Sequence, residues 1–311
     1  MFLSQAHKPN NPFINYIIGL ILIFISWQLI GSIPLFIAIG IKVFKDNIPF
    51  PKDEMAMFTI LDSNLFLTLI IFGFIAGLIC LYLVVKHLHQ MTWLKITTSR
   101  PKVDYKRIAF AFVIWALFTS ISKGIEIYLT PENYQFHFKP IPFFILLIIS
   151  IFLLPFQTSF EEYFFRGYLM QGLGILFKNK FLPLFITSVL FGLMHLFNPE
   201  VEKLGNLIMI YYIGMGFFLG IITLMDDGLE LALGVHAANN MVTALLLTAD
   251  WTALQTNSIY RDISKDPKLE LIQVVPLILV FFLYIYIFSK KYQWNNWKDK
   301  LMGKITITTN N

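Results

Sequence analysis

Three groups of polar residues interrupt an otherwise apolar stretch between Phe152 and Met241: Glu161-Glu162-Tyr163-Phe164-Phe165-Arg166, Phe191-Gly192-Leu193-Met194-His195 and His236-Ala237-Ala238-Asn239-Asn240. An ionisable side chain at bilayer depth costs roughly 2.5 to 3.5 kcal/mol, so two carboxylates, an arginine and two histidines there point to a functional site. Their types suit hydrolysis of an amide. That reaction needs a nucleophilic water, a carboxylate or metal to activate it, and donors aimed at the developing oxyanion. Glu161, His195, His236 and Asn240 are of these types. Two neutral imidazoles and a carboxylate also form a familiar catalytic zinc set that leaves a fourth position for water. No HExxH, GxSxG or Gly-rich phosphate loop accompanies them.

Helical spacing divides the labour. Glu162 and Arg166, four apart, share a face and can pair, whereas Glu161 points about 100° away from Glu162. Glu162 and Arg166 therefore read as an internal ion pair, and Glu161 as the carboxylate facing a cavity. The same segment also reads as a helix end whose charges snorkel to the headgroups. His236 and Asn240 lie one turn apart on one face, with Asn239 within reach. They can serve as interhelical hydrogen-bond glue, or as a ligand and an oxyanion donor. His195, just before Asn198-Pro199, also reads as an ordinary interfacial histidine.

The elements that must hold these residues are membrane spans. Hydrophobic residues make up 57% of the 311 and charged ones 14%, against about a quarter charged in soluble domains, and the mean hydropathy is +0.67. Windows of about 20 apolar residues give eight candidates, at 13–41, 64–85, 107–128, 141–160 or longer, 181–197, 206–225, 229–248 and 271–289. The expected fold is an all-α polytopic transmembrane bundle of about eight helices, one membrane domain over 1–311 with its catalytic core at 155–245. Under these boundaries His195 sits too far out to meet Glu161 unless the fourth span continues towards Met170 or the fifth begins later than Phe181; the apolar Tyr168-Leu169-Met170 favours the first. Gly73 with Gly77 and Gly216 with Gly220 predict close helix packing within the bundle. Asp226 to Glu230 reads as a tight turn ended by Gly228, and 249–270 as a long loop, either a lid or simply solvated. The single Cys80 excludes an intramolecular disulfide.

Lys and Arg in the connections set orientation. With the N-terminus inside, the inner segments hold 15 of them and the outer segments 8, with Lys123 inside a span. Both termini are expected in the cytoplasm, anchored most strongly by the connection 86–106. The pI of 9.1 follows from these flanking charges, and no nucleic-acid partner is expected.

In this order and setting, Glu-Glu-x-x-x-Arg, Phe-x-x-x-His and His-x-x-x-Asn resemble the CPBP family of intramembrane proteases, which includes the eukaryotic CAAX prenyl endopeptidase and bacterial Abi-type proteins. The resemblance covers about 155–245. It implies an eight-helix core and a metalloprotease, with Glu161 and His195 activating water. His236 and Asn240 would stabilise the oxyanion or help bind a metal, and Glu162 and Arg166 would support them. Zinc would then be held by Glu161, His195 and His236; spacing alone leaves open a second arrangement, with the three around a water and no ion. The doublet Asn239-Asn240 leaves both asparagines as candidates, Asn240 matching by spacing. The implied substrate is a peptide or protein, lipid-modified in the eukaryotic relatives, met among membrane lipids. A composition rich in Phe, Ile, Lys and Asn without an organelle-targeting segment points to a bacterial inner membrane. The competing readings are a non-catalytic immunity or partner-binding protein of the same fold and a proton-coupled transporter, although no paired halves of the transporter kind are visible.

Overall fold

The structure is a computed structural model describing residues 1–6, 11–51 and 54–305; Lys8 and Lys52 of the charge count lie outside the described residues. All eight apolar windows are helical: α1 Phe13–Asp46, α2 Ser63–Leu88, α3 Tyr105–Leu129, α4 Pro140–Phe177, α5 Phe181–Leu193, α6 Ile208–Asp226, α7 Glu230–Leu246 and α8 Leu271–Tyr292. Six of them, α1 to α4, α6 and α8, are each long and apolar enough to cross a membrane, while α5 and α7 have 13 and 17 residues. The chain is an all-α polytopic membrane protein.

Local chemistry sets the ends. Asp62 opens α2 by accepting the backbone N–H groups of Asn64 and Leu65 at 3.0 and 3.2 Å, an N-cap of the usual kind. Pro140 opens α4 at a position where its missing N–H costs nothing. Within α4 the chain breaks at Leu153, just before Pro155, and widens to a π-helical turn over Tyr163–Leu169, the kind of irregularity often found at functional sites. The helix then continues to Phe177, as the depth of His195 required of it. Glu161 is thereby well inside the helix rather than at its inner end.

The connections sort into two faces. On one, Phe2 N donates to Asp227 Oδ1 at 3.1 Å, Leu229 N to Thr97 O at 2.8 Å and Ile305 N to Lys178 O at 3.0 Å. Arg100 reaches Asp226 Oδ2 at 2.9 Å and Glu230 Oε2 at 3.1 Å, Arg107 also pairs with Asp226 and Lys300 with Asp227. These are the segments assigned inward by charge. On the opposite face Asn64 Nδ2 donates to Pro142 O at 2.8 Å. There β1 Tyr134–Phe136, β2 Leu247–Ala249 and β3 Tyr260–Asp262 form a small sheet in the order β1-β3-β2, antiparallel then parallel. The 249–270 connection is thus partly built into a sheet. The first turn of that connection is also held, as Ala253 N donates to Glu200 Oε2 at 3.0 Å.

One detail of the turn after α6 differs from expectation. Asp227, at φ 55°, takes the left-handed terminating position. Gly228 serves space instead, because a Cβ there would stand 2.2 Å from Glu230 Oε2 and 3.0 Å from Arg100 Nη1. The predicted close packing lies inside the bundle. A Cβ on Gly216 would meet Ser188 O at 2.4 Å, holding α6 against α5, and one on Gly77 would meet Phe160 at 2.6 Å. Gly234 does the same for α7 and α3, facing Ile108 O at 2.3 Å.

Candidate active site

The polar groups on α4 and α7 converge at the centre of the bundle. Arg166 Nη1 donates to Glu162 Oε1 at 2.8 Å, with both side chains fully buried. A charge pair so deep is tolerable because each partner neutralises the other and most, though not all, of its polar atoms find partners: Glu162 Oε2 and Arg166 Nε have none among the described residues. Arg166 Nη2 donates to Gly216 O at 3.1 Å, a carbonyl presented by the close α5–α6 contact, and the guanidinium lies 4.3 Å from the Phe191 ring centroid. Glu162 Oε1 also faces His236 Nδ1 at 2.7 Å. A carboxylate paired with arginine can only accept, so His236 Nδ1 carries the hydrogen. This holds the ring with Nε2 directed at Glu161 Oε2, 3.4 Å away.

Glu161 differs from its neighbour. Its Oε1 accepts from Gln157 Nε2 at 2.6 Å, one turn earlier on α4, and its side chain is 13% exposed against 0% for Glu162; the Oε2 of each glutamate is buried with no hydrogen-bond partner among the described residues. Asn240 Nδ2 donates to Gln157 Oε1 at 2.9 Å, Asn239 Nδ2 to Asn240 Oδ1 at 3.1 Å, and Trp115 Nε1 of α3 to Asn239 Oδ1 at 3.3 Å. Of the asparagine doublet, Asn240 is therefore the one in direct line with the carboxylate, and Asn239 stands behind it. Gln157, Trp115 and the Gly216 carbonyl were absent from the sequence reading. An amide four residues before Glu161 in an apolar helix was the available signal for Gln157. Nothing in spacing announces a tryptophan from another span or a backbone carbonyl.

His195 stands apart from this group. Its Nδ1 faces Phe191 O at 2.9 Å; a carbonyl only accepts, so Nδ1 carries the hydrogen and Nε2 keeps the lone pair. The ring stacks on Tyr212 at 4.4 Å, and Tyr212 OH donates to Glu200 Oε1 at 3.4 Å. Burial in the connection after α5 pushes the Glu200 carboxyl above its ordinary range. Phe191 links the two histidines, its ring centroid 5.1 Å from that of His195 and 5.8 Å from that of His236.

This geometry tests the zinc set. Ligands at about 2.0 to 2.2 Å from a tetrahedral ion stand about 3.3 to 3.6 Å from one another, so Glu161 Oε2 and His236 Nε2 at 3.4 Å match one edge of such a site. The third ligand does not join them. Among the described residues, no group of three His, Cys, Asp or Glu side chains is close enough to hold a metal ion. The expected three-residue ligand set is thus not assembled in this conformation.

Fold and site together define a polytopic membrane protein with a carboxylate and imidazole centre sealed between its helices. Residues 140–242, from the start of α4 through the His236 and Asn240 turns of α7, match the family model described as type II CAAX prenyl endopeptidase Rce1-like. The chain is also 32% identical over 259 residues to the Bacillus subtilis (strain 168) protein described as "Uncharacterized protein YyaK", covering 81% of this chain and 82% of that one. No solved structure matches. The chain belongs to the Rce1-like family of CAAX prenyl endopeptidases.

Proposed function

We propose that the protein is an intramembrane endopeptidase in which Glu161 draws a proton from water while that water attacks the scissile carbonyl. The observation that carries this reading is Glu161 Oε2, which lacks a hydrogen-bond partner among the described residues and faces His236 Nε2 at 3.4 Å, on a side chain that is 13% exposed where Glu162, paired with Arg166, is fully buried. A carboxylate oxygen left without a donor is costly, and that cost is explained if the oxygen is reserved for a substrate water. The proton taken by Glu161 then passes to the departing amine as the C–N bond breaks. His236 Nε2, its ring fixed through Glu162, orders the attacking water, and the lone pair on His195 Nε2, with its ring centroid 5.1 Å from that of Phe191, is a second acceptor for it. The second amide hydrogen of Asn240, beyond the one given to Gln157, is a donor for the oxyanion. Glu162 and Arg166 act by holding His236.

The family description names prenylated CAAX peptides, so a fluorogenic peptide ending in a farnesylated CAAX sequence is the first probe, with its unprenylated twin beside it. Cleavage by purified protein in nanodiscs, lost in a Glu161→Gln variant, is the expected result. No cleavage of either peptide under any condition would sink the reading in favour of a non-catalytic membrane protein of the same fold. Zinc is the alternative to this step: held by Glu161 and His236, which offer one edge of a site, it would acidify a bound water. With Glu161 itself as the base, a chelator-stripped preparation checked by elemental analysis is expected to keep its activity. Complete loss that added zinc restores would put the metal in the reaction.

We assign the Lys- and Arg-rich face to the cytoplasm of a bacterial inner membrane, on the 15-to-8 bias in the connections. In a Cys80→Ser background, a cysteine introduced at the exposed Lys298 should react with an impermeant maleimide in inside-out vesicles only. Reaction from the periplasmic side of intact cells would reverse the assignment.

A further inference from the structure

We propose that Trp115, Asn239, Asn240 and Gln157 form one directional hydrogen-bond chain that fixes how Glu161 presents its carboxylate, which makes Gln157 and Trp115 positioning residues. The inference rests on Glu161 being the base, and it concerns groups that lie behind that base rather than at the scissile bond.

The ends of the chain dictate its direction. An indole N–H can only donate and an ionised carboxylate can only accept. Between them stand three amides, each with one carbonyl and one NH2, joined head to tail at 3.3, 3.1, 2.9 and 2.6 Å from Trp115 to Glu161. Reversing any one amide would set acceptor against acceptor on one side and donor against donor on the other. All three orientations are therefore fixed by Trp115 at one end and Glu161 at the other. The shortest bond is the one to the carboxylate, as a charged acceptor requires, and hydrogen bonds in series polarise one another in a low dielectric.

The chain is also mechanically anchored. Trp115 is 3% exposed and its ring is clamped by Phe218 at 5.4 Å, Tyr284 at 4.8 Å and Phe281 at 6.3 Å. The Gly234 contact draws α7 against α3 and so brings Asn239 to the indole. Three helices, α3, α7 and α4, thus converge on one oxygen of Glu161. With Oε1 held by Gln157, Oε2 is turned to His236 Nε2.

Interhelical glue would use the same residue types but would transmit nothing from one end to the other, and this is the property to measure. In protein labelled with indole 15N-tryptophan in nanodiscs, the Trp115 Nε1–H resonance is identified by its loss in Trp115→Phe. Gln157→Met should shift it, although two amides lie between the side chains. Thr158→Val, which alters a buried neighbour outside the chain, should leave it in place. With the farnesylated probe, Gln157→Met and Trp115→Phe should each lower kcat by about 10- to 100-fold, as loss of an orienting partner does, with KM unchanged. The double variant should be no slower than Gln157→Met alone, since a chain broken once is already disconnected. A Trp115 resonance indifferent to Gln157→Met, or losses in kcat that multiply in the double variant, would overturn the chain. Should wild-type protein cleave no probe, the proteolytic reading falls, and the resonance still decides the chain by itself.

Discussion

Glu161→Gln should lower kcat on the farnesylated peptide by about 100- to 10,000-fold, the range that general-base catalysis contributes, while the melting temperature in detergent stays near that of the wild type. The reason is the unequal use of its two oxygens. The carbonyl of the new amide can keep the 2.6 Å bond from Gln157. The opposite oxygen, which has no partner in the protein, becomes an NH2 that cannot take a proton from water. Its neighbour His236, 3.4 Å away, is held independently by Glu162 at 2.7 Å, so chemistry and stability separate. Retention of more than a tenth of wild-type kcat would remove Glu161 from the role of base.

Arg166→Ala and Glu162→Ala should fail differently. Each leaves its partner charged and fully buried, and breaking a buried pair from one side costs about 3 to 5 kcal/mol in water-soluble proteins. Both should melt well below Glu161→Gln. The pairing also predicts recovery: Glu162→Gln combined with Arg166→Met removes both charges and should melt above either alanine variant, because no charge is stranded. Activity should not return, since His236 Nδ1 would then face a neutral amide in place of the carboxylate at 2.7 Å. Equal melting of Glu161→Gln, Glu162→Ala and Arg166→Ala would refute this separation of roles.

Much of this was legible in the residues, for physical reasons that also explain the rest. Long apolar runs have few alternatives to a membrane helix, so all eight helices could be placed. The Glu162 and Arg166 pair follows from a spacing of four. The position of His195 was not legible, because spacing along one helix says nothing of the depth at which another helix crosses it, and the ring turned to Tyr212 and the Phe191 carbonyl instead of joining Glu161. Gln157 and Trp115 meet Asn240 and Asn239 across 83 and 124 residues of sequence, pairings that exist only after the helices have packed. The three-residue strands near Tyr134 and Tyr260 are too short to show a period of two, and the exchange of Gly228 for Asp227 at the end of α6 depended on where Arg100 needed room.

The brevity of α5 has a consequence for the lipid around it. Thirteen residues rise about 20 Å, roughly 10 Å less than the hydrocarbon thickness of an ordinary bilayer, and Phe181, Phe185 and Leu193 on its flank are exposed. Beyond its end come Asn198 and the short helix Pro199–Leu204 with its glutamates, groups that belong among headgroups and not among acyl chains. A span this short is met by snorkelling of its flanking residues, by association with neighbours or by a thinner leaflet, and a leaflet that thinned beside α5 would lower the water surface toward His195.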